Sequence, residues 1–96
     1  MASPDPAEVR RELETRGYAA MQVSGGCMEP ALHDGQWVIV HRERRPRRGE
    51  LVLLDCGGTL ELHRLGFHLG PWWMHKGDSS PHWGIARSAE ILGLVG

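Results

Sequence analysis

What most restricts the fold of this chain is how its apolar residues are parcelled. From Tyr18 onward they come in short runs of strand length, each cut from the next by a glycine- or proline-bearing turn. Residues 18–23, 37–40, 50–55, 59–65, 72–75 and 89–95 are too short for packed helices. Their β-branched, aromatic and alternating apolar residues suit pleated strands with one covered face. His33-Asp34-Gly35 and Lys76-Gly77-Asp78-Ser79-Ser80-Pro81 supply turn chemistry, and Gly57-Gly58 reads as a two-residue hairpin turn. The chain is therefore expected to be mainly β. The exception is the start, where Asp5 as N-cap, Pro6 at the first helical position and Glu8 at the third predict a helix from Pro6 to Arg16. Gly17 ends it, and Glu12 and Arg16 stand one turn apart. Only Val9 and Leu13 give this helix an apolar face, so it reads as a lightly docked appendage.

Ninety-six residues suffice for one domain and exclude a second independent one. With 24% charged residues and a net charge of -1, nothing pulls the whole surface toward nucleic acid or membrane, and any partner preference must be local. No apolar run approaches the ~20 residues of a membrane span. The first residues, Met1 to Pro6, lack the basic-then-apolar order of an export signal, and a cytoplasmic protein is expected. Cys27 and Cys56 in a leaderless chain read as reduced thiols. Six histidines fall into none of the spacings C-x-x-C, H-E-x-x-H or H-x3-H, so neither a metal nor another cofactor is expected. The arginine-rich stretch 42–48, broken at Pro46, is either a solvated turn or a contact for phosphate or an acidic peptide.

Two residues draw attention as chemistry. Cys27 follows Gly25-Gly26 and precedes Met28-Glu29-Pro30, a setting in which glycines permit a tight turn and proline directs its exit. Such a turn presents a thiol, although a small apolar residue in a glycine-rich loop fits the same nine residues. His63 lies in an alternating strand, where Leu60 and Leu62 share one face and Glu61 and His63 the other, less apolar one. A histidine there is either solvated or functional.

Taken in order, these pieces resemble the catalytic core of signal peptidases and LexA-type peptidases. Gly25-Gly26-Cys27-Met28-Glu29-Pro30-Ala31-Leu32 is similar to the Gly-x-Ser-Met-x-Pro-x-Leu nucleophile box. Asp34-Gly35 with its following strand, and Gly49-Glu50-Leu51-Val52, match the two Gly-Asp segments. His63-Arg64 falls where bacterial signal peptidases have Lys-Arg and the archaeal and endoplasmic reticulum type has His-Arg. Lys76-Gly77-Asp78 resembles the Lys-Gly-Asp box of that second type, and Ile91 to Val95 the closing strand. The resemblance spans about residues 23–95, dividing the chain into an N-terminal helix with lead-in strand (1–22) and a peptidase core (23–96).

The resemblance implies a twisted, coiled β-sheet with the nucleophile at a strand end, beside a groove that takes peptide as an added strand. It implies an endopeptidase acting on a peptide or leader segment with small residues near the scissile bond, as in maturation of a peptide product. The resemblance makes Cys27 the nucleophile and His63 the base, assigns Gly25, Gly26 and Met28 to the oxyanion hole and substrate strand, and offers Asp78 as a third member. The chain departs from the pattern in having Cys27 for serine, no membrane anchor, and no acid in Pro81-His82-Trp83-Gly84 where His-type relatives carry aspartate. A thiol suits an imidazole partner, because its pKa of ~8.5 is easily lowered beside one. The expected pair is therefore a Cys27 sulfur hydrogen-bonded to His63, with fast alkylation near neutral pH. A peptide-binding module that has lost activity is the alternative. LexA-like autoproteolytic control is a third class, disfavoured because no DNA-binding segment, and hence no nucleic-acid partner, is expected.

Overall fold

The computed structural model describes residues 5–96. The first four residues of segment 1–22, on which the reading of a leaderless start partly rests, lie outside the described residues. Helix α1 spans Pro6–Arg16; the Asp5 side chain accepts from the Ala7 N–H, and Gly17, left-handed at φ +80°, donates its N–H to the Leu13 carbonyl. The local capping signals thus set both ends. The helix is not an appendage, because Val9 and Leu13 are buried in the same cluster as Ala19, Met21 and Val40. Burying two such side chains contributes about 1.5–3 kcal/mol each. Arg10 ties the helix to Asp55 at 3.2 Å, and among the described residues Glu12 and Arg16 form no ion pair.

Seven strands follow: β1 (Tyr18–Gln22), β2 (Trp37–His41), β3 (Leu51–Cys56), β4 (Thr59–Leu69), β5 (Trp72–Lys76), β6 (Gly84–Arg87) and β7 (Ile91–Val95). They form one sheet in the order β1-β2-β7-β3-β4-β5-β6, every pair antiparallel. Five expected runs appear as strands, and Gly57 and Gly58, both at positive φ, make the β3–β4 turn. The expected closing run 89–95 begins instead with a single 3-10 turn, Ser88–Glu90. β4 continues past Leu65 through an irregular register at residues 65–68. β6 has no counterpart among the runs read from sequence.

The sheet curls until β3 is covered on both sides. Leu53 belongs to the cluster beneath α1, while Val52 and Leu54 belong to a second cluster with Leu65, Trp73, Ala86 and Leu94. His63 stands directly across from Val52. Its face, expected to be the less apolar one, is therefore the side of a second core.

The arginine loop 42–48 is braced by Glu50, whose carboxylate accepts from Arg44 at 2.7 Å and from the Arg47 N–H at 2.5 Å. Among the described residues, no helix is long and apolar enough to cross a membrane.

Candidate active site

The connection from β1 to β2 must reverse the chain, and its hydrogen bonds decide where Cys27 sits. Val23 N–H donates to the Gln36 carbonyl and Gly35 N–H to the Val23 carbonyl, both at 2.8 Å, closing the base of the loop. Asp34 accepts from Gly25 N–H at 2.8 Å, and Gly25 adopts φ +86°, which only glycine takes without strain. Val23 and Met28 are buried on either side while Cys27 is exposed. The glycine-rich box therefore presents its cysteine between two apolar anchors.

A second set of contacts comes from the segment after β5. Ser79 donates its N–H to the Cys27 carbonyl at 3.1 Å and its hydroxyl to the Gly26 carbonyl at 2.8 Å. At Gly77 a Cβ would stand 2.6 Å from the Cys27 carbonyl oxygen and 3.1 Å from Cys27 Cβ, so the close approach requires glycine. The β4–β5 register ends at Arg64 opposite Lys76. Carried one step further it sets Gly77 opposite His63, which brings the Cys27 loop over the neighbourhood of that histidine.

β4 is consequently left open on this side over residues 59–63. Leu65 directs its N–H and carbonyl toward Glu50 and Gly49. By alternation, the backbone of Leu62 faces the opposite, open side. Cys27 Sγ donates to that Leu62 carbonyl at 3.8 Å. A groove of about 240 Å³ lies between residues 21–24 and residues 59–62, and Cys27 and Met28 line it.

His63 does not hydrogen-bond to the sulfur. Its Nδ1 lies 2.8 Å from Nδ1 of His75, with the rings tilted by 37°. His75 is 6% exposed, the one buried polar side chain among the described residues. Its ring fills the space in front of Gly84, where a Cβ would come within 2.7 Å of Cε1. Burial lowers the His75 pKa, and the nearby His63 pushes it the same way, against weaker opposition from Glu61 and Glu90. His75 is therefore neutral at pH 7.

Three further sequence expectations for this site are corrected. Asp78 does not orient His63, because Arg64 engages both its oxygens at 2.8 Å and holds its carboxyl below the usual carboxylate range. Arg64 and His63 are adjacent on β4 and so point to opposite faces. The expected lowered thiol pKa is also not met: burial raises it at Cys27, and the charge of Glu61 raises it further, against a backbone hydrogen bond. Cys56 is pushed up to about 12 by burial and then by Glu61. Gly25, expected in the oxyanion hole, spends its N–H on Asp34, whereas among the described residues the amides of Gly26, Cys27 and Met28 find no backbone acceptor. His75, the hydrogen-bond partner of His63, is the residue here that the motifs did not single out. No group of three or more His, Cys, Asp or Glu side chains among the described residues is arranged to hold a metal.

A sequence profile of the Peptidase S24-like family matches residues 6–93. The LexA repressor of Frankia casuarinae is 27% identical over 96 residues, an alignment that takes in 98% of this chain and 38% of that protein. The chain thus spans well under half the length of this curated relative.

Proposed function

The chain belongs to the Peptidase S24-like family, and from that premise we propose that it is an endopeptidase using Cys27 as nucleophile and His63 as general base. The observation that carries this reading is an exposed thiol held against the open edge of β4, at the carbonyl of the residue next to His63. The substrate is a peptide or leader segment that joins β4 as an extended strand over residues 59–62. Met21, Val23, Met28, Leu60 and Leu62 line the groove and suit small apolar side chains near the scissile bond.

For this chemistry the sulfur must leave the Leu62 carbonyl and meet the ring of the adjacent residue, His63. The thiol proton passes to His63, the thiolate adds to the scissile carbonyl carbon, and the free amides near Cys27 receive the oxyanion. Each such donor is typically worth about 3 kcal/mol. Collapse breaks the C–N bond as His63 returns its proton to the leaving amine, leaving a thioester. Water, deprotonated by His63, then adds to the thioester, the C–S bond breaks, and the thiol is restored.

A raised thiol pKa and a sulfur bonded to a carbonyl favour a second reading, a peptide-binding module without turnover. A library of unstructured peptides with alanine, glycine or serine pairs, analysed by mass spectrometry, separates the two. Wild type should release defined fragments, and Cys27→Ala and His63→Ala should each lose about 100-fold or more of the rate. Retained peptides with no fragments from wild type would leave the binding module.

A further inference from the structure

We infer that His75 is a positioning residue for His63, holding that ring through Nδ1 so that Nε2 is the nitrogen left to receive the Cys27 proton. This deepens the Cys27–His63 reading and rests on it.

A base that rotates freely spends little of its time aligned, so an imidazole in this role needs a partner on its second nitrogen. No carboxylate among the described residues fills that place. Asp78 is clamped by Arg64, and Glu61, two residues before His63 on β4, makes no hydrogen bond to the His63 ring. The atom that meets His63 Nδ1 is His75 Nδ1, at 2.8 Å.

His75 is built to stay put. It is nearly fully buried, it stands across β4 from Leu65 and across β6 from Gly84, and it fits against Gly84 only because that residue lacks a Cβ. The charged or titratable groups that bear on it are His63 and Glu61 from β4 and Glu90 from the 3-10 turn.

Proton accounting then fixes the roles. When His63 takes the thiol proton it becomes an imidazolium, and both its nitrogens donate. The partner of Nδ1 must at that moment be an acceptor, so His75 is neutral with its proton on Nε2. Burial, which lowers the His75 pKa, keeps it in that state. The same bond exists before proton transfer only if His63 carries its proton on Nδ1, which leaves Nε2 unprotonated and basic. A neutral acceptor stabilises an imidazolium less than a carboxylate does. A thiol asks less of its base than a hydroxyl, so Cys27 in place of serine and a histidine in place of an aspartate are matched changes.

The test has one readout that needs no turnover. In protein labelled with 15N-histidine, the ring nitrogens of His63 at pH 8 should show the Nδ1–H tautomer. His75→Phe should shift His63 toward the Nε2–H form, and His75→Asn, whose amide oxygen can accept, should restore Nδ1–H. On a peptide that wild type cleaves, His75→Phe should lower kcat about 10- to 100-fold with KM unchanged, with His75→Asn recovering most of it. Should the phenylalanine variant fail to fold, as judged by melting, His75→Leu replaces it. An Nε2–H tautomer at His63 in wild type, or a tautomer indifferent to His75→Phe, overturns the inference even if the protein cuts peptides. The Nδ1–H tautomer in a protein that cuts nothing overturns the peptidase reading and upholds the pairing.

Discussion

Replacing Gly77 with alanine tests whether the Cys27 loop is held by contact with the segment after β5. The added Cβ would lie 2.6 Å from the Cys27 carbonyl oxygen, and ordinary contact begins at 3.4 Å, so the two backbones must part by about 0.8 Å. Neither is the flexible end of a side chain. The same movement stretches the bonds of Ser79 to the Cys27 and Gly26 carbonyls, now 3.1 and 2.8 Å. Overpacking costs about 1–3 kcal/mol and each weakened hydrogen bond about 1 kcal/mol, so the variant should lose about 2–4 kcal/mol. In a domain of this size that lowers Tm by roughly 10–25 °C. Cys27, levered out of its contact with Leu62, should alkylate faster with iodoacetamide, since burial is the first cause of its raised pKa. Gly26→Ala is the control, because its Cβ meets only Glu29 Cγ at an ordinary 3.6 Å, and its Tm should stay near wild type. A Gly77→Ala protein that melts and alkylates like wild type refutes the close-contact reasoning. An equal loss in Gly26→Ala would mean that the loop rejects side chains generally.

The charge of Glu61 raises the pKa of both thiols, so Glu61→Gln should move the alkylation midpoints of Cys27 and Cys56 to lower pH. Peptide mapping by mass spectrometry reads both at once, and an unmoved or higher midpoint at Cys27 contradicts that cause. Asp78 has a depressed carboxyl pKa because of Arg64, so its stabilising contribution is present above the unfolded pKa of ~3.9 and is lost as pH falls through the folded value. Asp78→Asn should therefore cost about 1–2 kcal/mol in urea unfolding at pH 7 and progressively less as the pH is lowered below about 3.9. A gap that does not shrink on acidification would show that the ion pair is not its source.

Local signals were legible in the sequence wherever a few adjacent residues decide the outcome. Asp5, Pro6 and Gly17 fix the helix ends because capping is settled within one turn. The docking of that helix is settled by distant partners, and two apolar residues suffice because β1 and β7 pack against it. Alternation reveals β1 to β5, but Gly66 and the irregular register beyond Leu65 interrupt it in β4. β6 has only four residues, Gly84–Arg87, and offers too short a pattern. The Arg64–Asp78 pair joins residues 14 apart through strand register, which no spacing announces. His75 carries a usable signal: period-two alternation from Trp73 sets it on the buried face, where a histidine needs a partner. What that partner is depends on which β4 residue stands diagonally across from it, and that is a property of the pairing alone.

The position of β7 decides how the two halves of the sheet are joined. It follows all its partners in the chain, yet it lies between β2 and β3 and supplies the ladder that joins β1-β2 to the four strands β3 to β6. Cys27 belongs to the loop of the first group, and His63 and His75 to the second. On the ribosome, the two groups have no continuous hydrogen-bonded sheet between them until residues 91–95 emerge. Pairings this distant in sequence also slow folding. Before that strand is in place, the half-sheet with the thiol and the half-sheet with the imidazoles meet through loop and side-chain contacts such as those of Ser79 with the Cys27 loop and of Arg10 with Asp55, and residues 91–95 then close the frame around them.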